Sequence, residues 1–318
     1  MHTPTHGGDR RAAALRCGCA PADFLDASAN INPMGSPPGL LEAAAQALAD
    51  VAHYPSPRAE PLRSLLAEKL GVPVVVGNGA NELLFAACAG MESAYVGGPA
   101  YGGYLEAAQA AGARLENDPA LAAVRFWGRP NNPDGDLPSV AEVWRWCEQH
   151  PTQRVVVDES FVALTDSPSC SAPNAPENLL VVTSMTKTYA IPGLRLGYAA
   201  GARAGELADR IPMWSVNGPA LAAGLVAFSS GDWLDQARVQ ISHWRGQQLQ
   251  AWMSLPGVVS VAGAANYILI ELALPMGPLL CQELEREHRI LVRDCSNYTG
   301  LGRSHVRVAV PDAAKFKV

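Results

Sequence analysis

The most informative stretch of the chain reads Ser184-Met185-Thr186-Lys187-Thr188-Tyr189-Ala190-Ile191-Pro192-Gly193-Leu194-Arg195-Leu196-Gly197-Tyr198. Lys187 follows an apolar, β-rich run and two hydroxyl residues, an unusual place for a solvated surface charge. Burial lowers the pKa of a lysine, and a neutral amine condenses with an aldehyde to form an imine. The hydroxyls of Ser184 and Thr186 and the guanidinium of Arg195 suit a phosphate dianion. The short Ser-x-Thr-Lys string alone favours a surface loop with an incidental lysine, whereas the complete stretch favours a reactive one.

Short apolar runs alternate with longer Ala-, Leu- and Glu-rich segments through the middle of the chain. The runs cover residues 74–76, 94–96, 154–158, 179–183 and 196–200. Strands that are apolar on both faces are typical of a parallel sheet covered by helices. The pattern therefore predicts an α/β fold, with ligands gathered at the carboxyl ends of the strands.

The pattern changes after about residue 212. A long amphipathic helix is predicted over 233–252 with Asp232 as its N-cap, and a second helix over 279–289. Strands are predicted at 258–261, 267–270 and 306–310. We expect a small C-terminal domain at 213–318, a large domain at 34–212, and an arm at 1–33 that packs with the small domain. Pro37 and Pro38 are expected to open a helix over residues 40–50.

Composition excludes several classes of protein. Of 318 residues, 48% are hydrophobic and 17% charged, with 24 Lys and Arg against 30 Asp and Glu, so a nucleic-acid partner is not expected. The seven cysteines are scattered, which predicts free thiols in a reducing compartment and no metal site. Neither a signal-peptide pattern nor an apolar run of about 18 residues is found, so we expect a soluble cytoplasmic protein without a membrane partner.

A second string, Val155-Val156-Val157-Asp158-Glu159-Ser160-Phe161, ends an apolar strand with an acid. A buried carboxylate must be paired or serve a purpose, because burial of a bare charge is costly. Asp158 beside the pyridine nitrogen of a cofactor would keep that nitrogen protonated and make the ring an electron sink. By itself, the string is explained equally well by a helix cap or by a Mg²⁺ site at Asp158 and Glu159.

Three further strings contain candidate cofactor ligands. Gly77-Asn78-Gly79-Ala80-Asn81-Glu82 lies between a strand and a helix, where backbone N–H groups and the helix dipole bind anions. Tyr101 offers a ring that could stack on a cofactor. Asn132, in Arg129-Pro130-Asn131-Asn132-Pro133-Asp134-Gly135, could donate to a phenolate oxygen. Alone, each string is explained as well by a turn, a loop or a packed aromatic ring.

Taken in order, the motifs resemble the fold-type-I enzymes that use pyridoxal 5'-phosphate (PLP), the aspartate aminotransferase superfamily. The matching residues are Gly79, Ala80, Asn81, Tyr101, Asn132, Asp158, Ser184, Thr186, Lys187 and Arg195, and the resemblance covers nearly the whole chain. It implies PLP held by Lys187 and the PLP-dependent transferase fold: a large domain with a mainly parallel seven-stranded sheet, plus a small α+β C-terminal domain. It also implies a homodimer with shared sites, in which Tyr54 reaches the phosphate in the partner subunit's site.

Within that superfamily the chain resembles the histidinol-phosphate aminotransferase group, and in that group the threonine-phosphate decarboxylases of cobalamin biosynthesis. The strings that carry this are His6-Gly7-Gly8, residues 26–35, Trp214-Ser215-Val216-Asn217 and residues 290–298. The resemblance assigns catalysis to Lys187 and Asp158, and substrate binding to His6, Asn32, Arg293 and Arg307. Phe161 stands where the aminotransferases usually carry a tyrosine, which leaves Asn132 as the main side-chain partner of the cofactor's phenolate oxygen.

The reaction implied is decarboxylation of L-threonine O-3-phosphate to (R)-1-amino-2-propanol O-phosphate. The alternatives are amino transfer from histidinol phosphate to 2-oxoglutarate, and a cofactor-binding scaffold without turnover. The scaffold is disfavoured because Lys187, Asp158 and Arg195 are all present. Asp134 replaces the usual threonine of its motif, and Arg129 is an unexpected charge just before it. The chain also ends eight residues after Val310, where relatives usually add a helix, so we expect thinner packing of the small domain.

Overall fold

The computed structural model describes residues 7–312. Its strands are β1 (Leu25–Asp26), β2 (Val74–Gly77), β3 (Ser93–Val96), β4 (Arg114–Leu115), β5 (Val124–Gly128), β6 (Arg154–Asp158), β7 (Leu179–Ser184), β8 (Gly197–Ala200), β9 (Val258–Ala262), β10 (Tyr267–Leu272), β11 (Ile290–Leu291), β12 (Arg293–Asp294) and β13 (His305–Ala309). Its α-helices are α1 (Arg10–Cys17), α2 (Leu40–Gln46), α3 (Glu60–Leu70), α4 (Ala80–Cys88), α5 (Gly102–Ala110), α6 (Val140–Gln149), α7 (Met185–Thr188), α8 (Gly218–Phe228), α9 (Gly231–Met253) and α10 (Gly277–His288). Short 3₁₀ turns lie at Pro21–Asp23, Ala47–Asp50, Val162–Leu164, Pro192–Leu194 and Ala204–Arg210.

The main sheet has seven strands in the order β2-β8-β7-β6-β5-β3-β4, and only β8 runs antiparallel to its neighbours. The expected α/β fold with a mainly parallel seven-stranded sheet is thus confirmed. The carboxyl ends of six strands and the start of β8 lie along one edge of this sheet. Loops from that edge therefore meet at one place, as in other open α/β sheets.

The apolar runs predicted five of these strands and missed β4 and β5. β4 has two exposed residues, too few for a pattern. β5 carries Arg125, which breaks its apolar run. The Arg125 guanidinium carbon lies 3.8 Å from the ring centre of Trp127 and 4.1 Å from that of Trp146, so the two indoles cover a charge inside the fold.

A second sheet has the antiparallel order β12-β13-β10-β9, with α9 and α10 among its neighbours. Near the N-terminus β1 pairs in parallel with β11, and Arg16 on α1 forms an ion pair of 2.7 Å with Glu285 on α10. Domain boundaries at residues 33 and 212 stay a prediction. None of the helices in this described part of the chain combines the length and apolar character needed to cross a bilayer.

One expected helix cap was wrong, and another helix starts where it was expected. Asp232 does not cap α9, which already begins at Gly231; it lies in the first turn, where an acid also interacts favourably with the helix dipole. The segment expected to be helical over residues 40–50 does begin at Leu40, whose N–H donates to the Pro37 carbonyl at 3.2 Å. Gly39 is its N-cap, and its last part, Ala47–Asp50, is a 3₁₀ turn. Acids and prolines are enriched both just before and just inside helices, so such residues locate a helix start only to within a few positions.

The helix layer formed by α3 and α8 packs very closely against the sheet. Leu62 on α3 and Leu196 before β8 are fully buried, and α8 places Gly224 between them. A Cβ atom at Gly224 would lie 2.5 Å from Leu62 Cδ2 and 2.9 Å from Leu196 Cδ2, so only glycine lets these elements approach. Tight packing of this kind leaves little room for relaxation when a side chain is truncated.

We predict that Leu62→Ala lowers the free energy of unfolding by about 2–5 kcal/mol, because it leaves a cavity in this layer. Leu121→Ala is the control, since Leu121 is 69% exposed and its truncation should change stability by less than about 0.5 kcal/mol. Urea unfolding of both variants checks this. Equal midpoints for the two would contradict the packing described.

Candidate active site

A cavity of about 180 Å³ opens at the carboxyl edge of the main sheet. Its lining comes from the loops after β2, β3, β5, β6 and β7, from the segment before β8, and from the second sheet. Eleven of the sequence-predicted site residues line it: Ala80, Asn81, Tyr101, Asn132, Asp158, Ser184, Thr186, Lys187, Arg195, Arg293 and Arg307. The arrangement brings an amine, an acid and several phosphate-type donors to one place.

Lys187 lies on α7, the single helical turn that follows β7. Burial, and then the nearby Arg307 and Arg195, lower the pKa of its amine from 10.5 to about 8. The segment is fixed from behind by Asn32, whose N–H donates to the Lys187 carbonyl at 3.0 Å and whose Nδ2 donates to the Thr188 carbonyl at 2.8 Å. At pH values near 8, a substantial fraction of this amine is neutral and nucleophilic.

Asp158 ends β6 with its carboxylate inside the cavity wall. Burial raises the pKa of Asp158, while hydrogen bonds from Ser160 and Tyr104 lower it. Its Oδ1 accepts from the Ser160 N–H at 2.9 Å and from the Ser160 hydroxyl at 2.5 Å, and its Oδ2 accepts from the Tyr104 hydroxyl at 3.0 Å. The Ser184 N–H in turn donates to Ser160 Oγ at 3.1 Å, which ties this acid to the lysine segment. These donors help to hold the carboxylate in its ionised form.

A set of anion donors lies at the other side of the lysine. The Ser184 and Thr186 hydroxyls are 2.6 Å apart, and α4 begins at Ala80, which lines the same cavity. The first backbone N–H groups of a helix have no partner within the helix and are available to an anion. Arg195 adopts the left-handed backbone conformation, with φ 60°, a strained conformation for a non-glycine residue. Gly79 has φ 82°, a conformation that favours glycine, and a Cβ atom there would lie 2.5 Å from Arg195 Nη2, so a side chain at this position would displace the guanidinium.

The second sheet contributes two buried arginines. Arg293 on β12 and Arg307 on β13 are register partners, so both guanidinium groups come from directly opposed positions. Arg307 donates to Asn132 Oδ1 and, at 2.6 Å, to the Ser28 carbonyl, while its buried Nε has no hydrogen-bond partner among residues 7–312. Arg293 donates to Asn297 Oδ1 at 2.8 Å. This wall of the cavity is therefore strongly positive.

Not every predicted residue is placed in the cavity. Asn32 lies behind α7 as described, and Gly79 acts by giving room to Arg195. Tyr54 is 83% exposed and its ring lies 5.0 Å from that of Trp214, away from this chain's own cavity. His6 lies outside the described residues.

Sequence reasoning missed three residues that hold the site together, Tyr104, Ser160 and Arg129. Ser160 stands in the string that ends at Phe161, Tyr104 lies three residues after Tyr101, and both side chains bond to Asp158. Their positions carried a usable signal, since one follows Tyr101 by a single helical turn and the other follows Asp158 by two residues. The contacts of Arg129 required the fold.

The profile of the family "Aminotransferase class I and II" matches residues 113–317, more than half of the chain. The chain belongs to this family.

Curated relatives of this chain carry three kinds of name. The adenosylcobalamin biosynthesis bifunctional protein CobDQ of Leptospira interrogans is 30% identical over 98% of this chain, which spans only 39% of that protein. The threonine-phosphate decarboxylase of Salmonella typhimurium is 32% identical, over 99% of this chain and 94% of the relative. Histidinol-phosphate aminotransferase 2 of Pseudomonas fluorescens is 30% identical, over 91% and 85%.

Solved structures show the same two kinds of relative. The histidinol-phosphate aminotransferase of Clostridium acetobutylicum superposes with a TM-score of 0.83 at 25% identity, covering 92% of this chain and 96% of that one. The L-threonine-O-3-phosphate decarboxylase of Porphyromonas gingivalis superposes with a TM-score of 0.81 at 25% identity, covering 90% and 94%. The PLP-dependent transferase fold is thereby confirmed.

Enzymes of this family depend on PLP, and the residues in the cavity fit that cofactor. The two hydroxyls, Arg195 and the start of α4 form a donor set for a phosphate, with the close approach at Gly79 completing it. Lys187 supplies an amine for the aldehyde, and Asp158 a carboxylate for a pyridinium nitrogen. Among residues 7–312 no group of acids, histidines and cysteines is arranged to hold a metal ion.

We predict that Lys187 reacts with formaldehyde and cyanoborohydride with a half-maximal rate near pH 8, because burial lowers the pKa of its amine to about 8. Peptide mapping after labelling across pH 6–11 measures the profile, with the exposed Lys69 as the comparison in the same sample.

In the cofactor-free protein, the free energy of unfolding should rise between about pH 8 and 10.5, where the unfolded chain still binds a proton that the folded chain has lost. Lys187→Met should remove this rise, and a rise that persists in the variant would contradict the assignment.

Proposed function

We propose that this chain is a PLP-dependent lyase that decarboxylates L-threonine O-3-phosphate to (R)-1-amino-2-propanol O-phosphate, a step of cobalamin biosynthesis. The observation that carries the proposal is the opposed pair Arg293 and Arg307 on the cavity wall. Two guanidinium forks suit the several oxygens of a phosphate. Two relatives that match almost the whole chain support the proposal by their names: one names threonine phosphate as the compound decarboxylated, and the other names adenosylcobalamin biosynthesis.

Each residue has a role in this proposal. Bound PLP supplies an aldehyde for the substrate amine and a protonated ring that withdraws electrons from the α-carbon. Asp158 would hold the ring nitrogen in its protonated form, and the Asn132 amide, whose Oδ1 accepts from Arg307, would donate to the phenolate oxygen. The substrate's side-chain phosphate is bound by Arg293, Arg307 and His6. Its carboxylate is not bound by these residues and can therefore depart as CO₂. The Lys187 ammonium then delivers a proton to the α-carbon.

Phe161 adds support for the lyase. It is buried with its ring 5.0 Å from that of Tyr267, and the Tyr267 hydroxyl is already engaged, donating to the Asn131 carbonyl at 2.6 Å. The phenolate oxygen is thus left without the tyrosine hydroxyl that the resemblance associates with the aminotransferases. The second candidate is transfer of the amino group of histidinol phosphate to 2-oxoglutarate, favoured by the relatives that carry that name. In that reaction Lys187 would act as the base that takes the α-proton.

One incubation separates the two reactions. Purified protein with PLP and L-threonine O-3-phosphate, without any keto acid, should release CO₂ and form an aminopropanol phosphate in equal amounts. Arg307→Lys should lower kcat/KM by about tenfold or more, because a lysine cannot replace the planar fork. Transfer of the amino group to 2-oxoglutarate without CO₂ release would establish the aminotransferase instead.

The partner in this proposal is a second copy of the chain. Tyr54 and Trp214 are both exposed, and their rings lie 5.0 Å apart. Further large apolar side chains that are exposed are Leu41, Leu48, Val51 and Met213. A symmetric dimer would cover exposed apolar side chains of this kind. In that dimer the Tyr54 hydroxyl would donate to the phosphate held by the partner.

Mixing two inactive variants tests the shared site. Tyr54→Phe and Lys187→Ala should each bind PLP more weakly, or without the visible absorbance band, as pure samples. After unfolding and refolding together, half of the dimers should be hybrids with one intact site, restoring about one quarter of the wild-type band at limiting PLP. A monomer in sedimentation analysis, or a mixture no better than its components, would contradict the shared site.

A further inference from the structure

Arg129 is a fully buried cation directly behind the cavity wall. It is 0% exposed, and its guanidinium makes four hydrogen bonds. Nε donates to the Pro138 carbonyl at 2.7 Å, Nη1 to Glu159 Oε1 at 2.8 Å and to the Pro168 carbonyl at 2.9 Å, and Nη2 to Ser167 Oγ at 2.6 Å. Only the planar fork of an arginine can satisfy these acceptors together.

The partner of this cation is equally enclosed. The Glu159 side chain is 1% exposed; its Oε1 also accepts from the Cys170 N–H at 2.8 Å, and its Oε2 accepts from the Ser169 hydroxyl. Burial raises the pKa of Glu159, and Arg129 together with these donors opposes that rise. A buried pair of this kind contributes little as a net source of stability, yet removal of one partner leaves the other charge uncompensated.

The position of the pair along the sheet is its most informative feature. Arg129 is the first residue after β5, and Glu159 is the first residue after β6. Asp158 precedes Glu159 directly, and its carbonyl accepts from the Arg129 N–H at 2.8 Å. Asn132 follows Arg129 by three residues. Because neighbouring side chains on a strand point to opposite faces, Asp158 enters the cavity while Glu159 points to the ion pair behind it.

We propose that Arg129 and Glu159 are positioning residues, which lock the ends of β5 and β6 together and thereby set where Asp158 and Asn132 meet the cofactor. The pair ties the Pro130–Asp136 loop and the Ser167–Cys170 segment to the two strand ends, so that neither functional side chain can shift alone. A supporting shell of this kind fixes a site to within a fraction of an ångström. The inference rests on the cofactor-binding part of the proposed function.

The test uses three variants and a matched control in the full-length protein. Arg129→Met removes the cation, Arg129→Lys keeps the charge without the fork, and Arg129→Met with Glu159→Gln removes both charges. The control is Arg154→Met, at the opposite end of β6, where Arg154 pairs with Glu206 at 2.5 Å and is likewise buried but lies far from the cavity lining. Thermal unfolding, PLP titration, and the wavelength and pH dependence of the PLP absorbance band are measured for each.

We expect Arg129→Met to bind PLP at least about tenfold more weakly, with a displaced band and a shifted pH profile, and Arg129→Lys to lie between it and wild type. The double variant should regain thermal stability because no lone charge remains, while its band and affinity stay altered. Arg154→Met should lose stability with an unchanged band. If every Arg129 variant that folds keeps the wild-type band, pH profile and affinity, the pair is merely structural and the proposal fails. Failure of wild type itself to bind PLP would overturn the proposed function, a separate result.

Discussion

The site depends on one requirement: several charged side chains around the cavity are buried, and each of them needs partners that offset the cost of burial. Asp158, Lys187, Arg293 and Arg307 all lie there, and each would be destabilising if it were left without partners. The fold meets this constraint by fixing each group from behind, as Ser160 and Tyr104 do for Asp158 and as Asn32 does for the lysine segment. Reactivity then follows from the same burial, which raises the pKa of the acid and lowers that of the amine.

The cavity contains two groups of arginines, Arg195 and the pair Arg293 and Arg307, which come from different parts of the fold. Arg195 and Arg307 both lower the pKa of Lys187, so the amine lies in a positive field that also attracts anions. Arg195 lies beside the start of α4, where the cofactor phosphate fits, whereas Arg293 and Arg307 are held by the second sheet. Two separate anion sites on either side of one amine suit a phosphorylated cofactor and a phosphorylated substrate. Asn132, on the loop after β5, accepts a hydrogen bond from Arg307 and so ties this loop to the second sheet.

The sequence predicted the parts of this arrangement that depend on short strings. Lys187 and Asp158 each follow or end an apolar run, so the strings locate functional side chains at the ends of strands. The sequence therefore predicts five strands of the main sheet and most of the cavity lining. β5 was not predicted because Arg125 interrupts its apolar pattern. The two indoles that cover this arginine come from different elements, so the local sequence does not show that the charge is accommodated. The opposed register of Arg293 and Arg307 depends on how β12 and β13 pair, and the buried bonds of Arg129 depend on segments up to 39 residues away, so neither could be predicted from local sequence.

Arg129 and Asp134 depart from the usual motif around Asn132, and the structure shows what each side chain contacts. Asp134 Oδ1 accepts from Asn131 Nδ2 at 2.8 Å and from the Asp136 N–H at 3.0 Å, so a carboxylate closes the turn that presents Asn132. Arg129 anchors the start of the same turn to Glu159. The two changes therefore act at the two ends of one loop, and both leave the Asn132 amide in the cavity. A charge that is unexpected in a motif is thus accommodated when each of its hydrogen-bonding groups meets a fixed acceptor, and the loop that carries it becomes more closely tied to the sheet as a result.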